Sequence, residues 1–126
     1  MTLWTDPVIL DGLDRAGNLK RWRELLRQAA PSAHTFEIHC WEDEPAPIAL
    51  AREHGREKDT GWAYGTVIAG AVTPELLEML LSRPLPPGND LCPVPLTPFF
   101  SIFFDNGFCS EHYGTELYIT AEEDSP

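Results

Sequence analysis

Lysine and arginine are scarce in this chain, and residues 97–126 contain none. Nine basic residues stand against twenty acidic ones, for a formal net charge of −11 and a pI near 4.6. Nucleic acids and anionic membranes select Lys/Arg clusters, so neither is an expected partner. A basic protein is, because a negative field speeds encounter with positive surfaces. Solubility alone is the plainer reading of the same charge. The acid sits in the middle and at the C-terminus. Residues 37–59 sum to −4 and residues 97–126 to −6, whereas residues 1–36 sum to +1.

Cysteine is also sparse. Cys40, Cys92 and Cys109 are odd in number and widely spaced, unlike a disulfide framework. Free thiols in a reducing compartment are expected. The opening "MTLWTDPVILDG" lacks the basic and apolar regions of a signal peptide. No apolar run approaches the roughly 18 residues that a membrane span needs. The expectation is a cytoplasmic protein forming one domain over residues 1–126.

Catalytic signatures are missing too. Gly61, Gly65 and Gly70 match neither G-x-G-x-x-G nor a P-loop, and there is no G-x-S-x-G. No C-x-x-C or H-E-x-x-H spacing is present, so neither metal nor cofactor is expected. Cys109 and His112 form C-x-x-H, but residues three apart on a strand point to opposite faces. Buried, inert thiols are the simpler account. Glu37, His39, Glu111, His112 and Glu116 could meet as an acid–base group on adjacent strands. A polar, solvated sheet face is the simpler account of them. Lys20, Arg21, Arg23 and Arg27 could bind an anion, but a solvated helix face accounts for them.

Apolar residues are plentiful at 43%, with 10% aromatic, enough to build a core. "NLKRWRELLRQAAP" predicts a helix, with Leu19, Trp22, Leu25 or Leu26, and Ala29 on one stripe. Asn18 or Asp14 can cap it, and Pro31 ends it. "HTFEIHCWEDE" alternates as a strand, with Phe36, Ile38 and Cys40 on one side and Glu37, His39 and Trp41 on the other. Pro45 and Pro47 are expected to stop it. "IALAREHGREKD" reads as a short helix or helical turn broken at Gly55, and it is polar enough to be a surface loop.

"GWAYGTVIAGAV" is the next strand. Its Ala63, Gly65, Val67 and Ala69 side is small enough for a helix to lie close. "TPELLEMLLSRP" is the clearest helix, with Thr73 as N-cap and Pro74 at the first helical position. Residues 84–98 hold six of the twelve prolines and predict an irregular loop. Its two PxxP matches are of a kind that proline-dense loops produce by chance. Val8 to Leu10 suggest a short strand, Leu117 to Ala121 another, and residues 122–126 a frayed tail. The order predicts an α+β fold: an antiparallel sheet of four or five strands with two helices packed on one face.

The stretch "FFSIFFDNGFCSEHYG" reads as a hairpin turning at Asn106-Gly107. A two-residue turn pairs Phe104 with Cys109 and Phe103 with Ser110. One face then carries Phe100, Ile102, Phe104, Cys109, Glu111 and Tyr113. The other carries Phe99, Ser101, Phe103, Asp105, Phe108, Ser110 and His112. A solvated side should not hold three phenylalanines, so a second covering layer, a homodimer or a ligand is implied.

These features favour a small, acidic, non-enzymatic module that binds another protein. One form is an inhibitor or immunity-type partner of a basic toxin or nuclease, by analogy of class alone. The alternative is a small-molecule binder or small enzyme. Its pocket would lie between helices and sheet, lined by Trp41, Trp62, Tyr64 and Tyr118, with His39 or His112 as the polar group. Phe99 and Phe103 complete the set of candidate binding residues.

Overall fold

The structure is a computed structural model that describes residues 7–12 and 14–119. The expected tail at 122–126 lies outside the described residues.

The first helix, α1 (Arg15–Ala29), begins where Asp14 accepts a hydrogen bond from the Gly17 N–H at 3.1 Å. Of the two expected caps, Asp14 therefore serves. The helix ends at Ala29, and a 3-10 turn carries the chain over Pro31. Leu19, Trp22, Leu25, Leu26 and Ala29 are its buried stripe. α2 (Pro45–Arg52) and α3 (Pro74–Ser82) are the other helices. Thr73 caps α3 by accepting from the Leu76 N–H at 3.1 Å.

Seven strands form one antiparallel sheet: β1 (Val8–Ile9), β2 (Thr35–Trp41), β3 (Arg56–Lys58), β4 (Gly65–Ala71), β5 (Ser101–Phe104), β6 (Phe108–Glu111) and β7 (Glu116–Ile119). Their spatial order is β1-β7-β6-β5-β2-β4-β3. The mixed α/β class and the antiparallel sheet agree with the sequence. The expected four or five strands and two helices do not. β1 and α2 match the short strand and short helix read at Val8 to Leu10 and from Ile48, which the totals left out. β3 falls at Arg56–Lys58, where the sequence suggests no strand, and both β1 and β3 are short edges.

Register assigns the faces. Ile38 sits opposite both Ile68 and Ile102, and Ile102 opposite Ser110. Phe36, Phe104, Phe108 and Leu117 share that side. They pack with Trp22 and Leu26 of α1, Ile48 and Ala51 of α2, and Leu76 and Leu80 of α3 into one core. The opposite face has no helix over it among the described residues.

The hairpin register corrects the expected one. Phe103 sits opposite Cys109, so three residues, Asp105 to Gly107, make the loop. Gly107 takes φ 93°, the left-handed position that a three-residue loop requires. Asn106 accepts from the Phe108 N–H and donates to Ala29 O at 2.9 Å, which ties the loop to the end of α1. One residue of slip exchanges the faces. Phe104 and Phe108 therefore both point into the core, 4% and 0% exposed, with ring centroids 5.0 Å apart. Phe99 is also fully buried. The three-phenylalanine face proposed for a homodimer does not exist, and only Phe103 of that trio faces outward.

The small-residue side of β4 is corrected as well. Gly65, Val67 and Ala69 lie opposite Trp41, His39 and Glu37, on the face without helices. A Cβ added at Gly65 would run into the Trp62 ring. The small residue thus makes room for an indole and not for a helix.

The proline-rich segment 84–98 has no regular structure, as expected. Arg15 holds it to α1 by donating to Pro86 O at 2.7 Å and Pro95 O at 2.5 Å.

Candidate functional site

The open face of the sheet carries the aromatic residues that the core does not use. β2 supplies His39 and Trp41, and β5 supplies Phe103. Trp62 arrives from the loop before β4 and lies over Gly65. The rings form a continuous chain. Phe103 is 4.9 Å from His39, His39 is 6.0 Å from Trp62, and Trp62 is 5.1 Å from Trp41. Phe100 extends it, 4.9 Å from Trp41, 6.0 Å from His112 and 5.4 Å from Tyr113. Tilted and edge-on contacts at these spacings suit aromatic quadrupoles.

Acidic groups surround the rings. Glu37 accepts from Lys58 Nζ at 2.5 Å and lies 3.2 Å from His39 Nε2. The Lys58 hydrogen bond, with His39 assisting, holds the Glu37 carboxyl below its usual range despite partial burial. Tyr118 donates to Glu111, which pushes the Tyr118 phenol upward. His112 Nδ1 lies 2.9 Å from Glu116.

At the end of this face the ring chain meets a groove of about 470 Å³, lined by Trp41, Glu42, Asp43, Tyr64, Asp90 and Leu91. Among the described residues, two of the three large apolar side chains that stand out in solvent are here, Tyr64 at 68% and Leu91 at 62% exposed. Three carboxylates line the same groove. Apolar groups ringed by one sign of charge mark an interaction surface more than a solvated one.

Seven of the eight candidate residues fall on the open face or its rim. His39, Trp41, Trp62 and Phe103 touch in one chain, and His112 joins it through Phe100. Tyr64 stands on the rim of the groove. Tyr118 is on the same face but two strands from Phe103, next to Glu111. Phe99 is in the core and unavailable to a ligand. Trp41, Trp62, Tyr64 and Tyr118 do not line a pocket between helices and sheet, because β2, β4 and β7 turn their core-side residues toward the helices. Phe100, Leu91, Glu42, Asp43 and Asp90 were not among the candidates. A lone leucine between Asp90 and Cys92 in a proline loop carries no periodic signal.

The acid–base candidates do not converge. Glu37 pairs with His39 on β2, Glu116 with His112, and Glu111 with Tyr118. Strand β5 separates the first pair from the others. All three thiols are free and buried. Burial pushes the Cys40 thiol up to about 12 and raises that of Cys109. Among the described residues, no group of three or more His, Cys, Asp and Glu is placed to hold a metal ion. No described helix is long and apolar enough to cross a membrane.

A second groove, of about 390 Å³, lies beside the first and is lined mainly by Pro45, Pro47, Pro86, Pro87, Pro95 and Pro98. At its wall Tyr113 donates to Glu44 Oε2 at 2.9 Å, while Oε1 is shut off from water with no partner. Burial raises the Glu44 carboxyl, although the Tyr113 bond opposes it. Burial, then Glu44 itself, raises the Tyr113 phenol. A raised acid destabilises the fold where it is ionised, and stability returns as pH falls through its folded value. Glu44→Gln keeps an acceptor for Tyr113 and removes the charge. We expect a melting temperature at pH 7 equal to or above that of the parent, with the difference shrinking toward pH 4. A clear loss of stability at pH 7 would show that the ionised carboxylate is favoured here.

No family model matches the chain, and no curated protein or solved structure matches it either.

Proposed function

We propose that the protein is a non-catalytic binding module that captures a basic protein partner at the acid-rimmed aromatic groove. The observation that carries this reading is the meeting of exposed Tyr64 and Leu91 with Glu42, Asp43 and Asp90 over Trp41. An arginine or lysine of the partner would sit on the Trp41 or Tyr64 ring, its charge facing the carboxylates. The net charge of −11 would steer the encounter. An inhibitor or immunity-type role toward a basic toxin or nuclease is the specific form of this reading, and it rests on class analogy. Separate acid–base pairs and buried thiols support a role without catalysis. The small-molecule alternative would need an enclosed cavity, and these rings lie on an open face.

The test compares the parent with Tyr64→Ala/Leu91→Ala as baits in native lysate. Both residues are exposed, so the fold should stand. The parent is expected to retain a basic protein, salt-sensitively, with affinity about 100-fold above that of the double variant. Equal retention by both baits would remove this groove from the interface.

A further inference from the structure

We infer that a groove between α1 and the chain after α3 binds a small organic phosphate carrying an apolar group. This site is separate from the acidic groove and opposite to it in sign. The groove is about 440 Å³ and is lined by Ala16, Leu19, Lys20, Arg23, Arg27 and Leu85. No carboxylate lines it. Lys20, Arg23 and Arg27 recur at helical spacing, so they share one face of α1 over roughly 10 Å. Arg23 Nη2 donates to the Arg83 backbone carbonyl at 3.0 Å, which ties this face to the chain after α3.

None of these three cations has an ion pair among the described residues, although the chain has more than twice as many acids as bases. The Nε–H groups of Arg23 and Arg83 are shut off from water and have no acceptor. Buried donors are nearly always paired, so the Arg23 Nε–H at this groove needs an explanation. The Arg83 carbonyl fixes the Arg23 guanidinium, and a fixed planar fork suits a phosphate better than a mobile ammonium does. A dianion balances three local cations better than a carboxylate does. Acids beyond a Debye length, about 8 Å at physiological salt, are screened and do not cancel the local field. Leu19 and Leu85 give an apolar body its contact.

The test titrates the full chain with phenyl phosphate, inorganic phosphate and benzoate, following backbone amide shifts. Phenyl phosphate is expected to saturate shifts across residues 19–27 and at Leu85. It should bind about tenfold more tightly than inorganic phosphate, the gain of one modest apolar contact. Lys20→Gln/Arg27→Gln changes two exposed side chains with no structural bonds, and should weaken phenyl phosphate about tenfold. Tyr64→Ala/Leu91→Ala should leave it unchanged, which separates this site from the protein-binding reading. Shifts that never saturate, benzoate binding as tightly as phenyl phosphate, or unaltered affinity in the Lys20/Arg27 variant would each overturn the assignment.

Discussion

Replacing Trp22 with alanine is expected to remove about 4 kcal/mol of folding stability, the range for deleting a buried large aromatic. Trp22 is 1% exposed and sits between α1 and the sheet. Its Nε1–H donates to Ser110 Oγ at 3.0 Å across 88 positions of sequence. Ser110 is itself fully buried, so truncation leaves a hydroxyl with no partner as well as a cavity. Trp22→Phe separates the two losses, because it fills most of the space and drops only the bond. It should cost about 1–2 kcal/mol. Urea unfolding checks both, with midpoints falling in the order parent, Phe, Ala at a similar slope. An alanine variant no weaker than a surface substitution would mean that Trp22 does not hold α1 to the sheet.

The elements with strong local signals were legible in the sequence. α1 announces itself through Leu19, Trp22, Leu25, Leu26 and Ala29, and α3 through Thr73-Pro74 ahead of its leucines. β2 alternates cleanly because one of its faces is core and the other is open. The sheet is wider than the sequence suggests because its β3 edge carries no such pattern. β3 is Arg-Glu-Lys, all exposed, paired with β4 on one side only. Charged, short strands are how sheet edges avoid further pairing, and they look like loops in sequence. Pro45 and Pro47 were read only as breakers of β2. They also occupy the first turn of α2, where the backbone N–H has no helical partner to lose.

The hairpin illustrates a harder limit. Asn-Gly favours a two-residue turn, yet Asp105 joins the loop, because Asn106 also bonds Ala29 O and Ser32 Oγ. That anchor is tertiary, and no local rule contains it. Once the register shifts, the surplus of phenylalanines is largely accounted for by the core. The candidate site was half legible for the same reason. Strand parity put His39 and Trp41 together, but Phe100 and Leu91 reach the site from irregular backbone.

Gly114→Val should be nearly as damaging as the loss of Trp22, costing about 4 kcal/mol from backbone strain and overpacking together. The turn between β6 and β7 runs through three successive left-handed residues: His112 at φ 51°, Tyr113 at 59° and Gly114 at 90°. Several bonds hold this turn. Tyr113 O accepts from the N–H groups of Leu96 and Thr97, and the Tyr113 N–H donates to Phe100 O. A β-branched residue at φ 90° is strained whatever the space. Space is also lacking, since a Cβ at Gly114 would sit 2.9 Å from Trp22 Nε1 and 3.2 Å from Leu96 Cβ. The two contributions can be separated by a double-mutant cycle. Gly114→Ala made in the Trp22→Phe background loses the indole clash and keeps the strain. Its cost there should fall about 1 kcal/mol below its cost in the parent, a coupling of the size expected for residues in contact. Strict additivity would place the whole penalty in the backbone and would show that the Trp22 indole does not press on this turn.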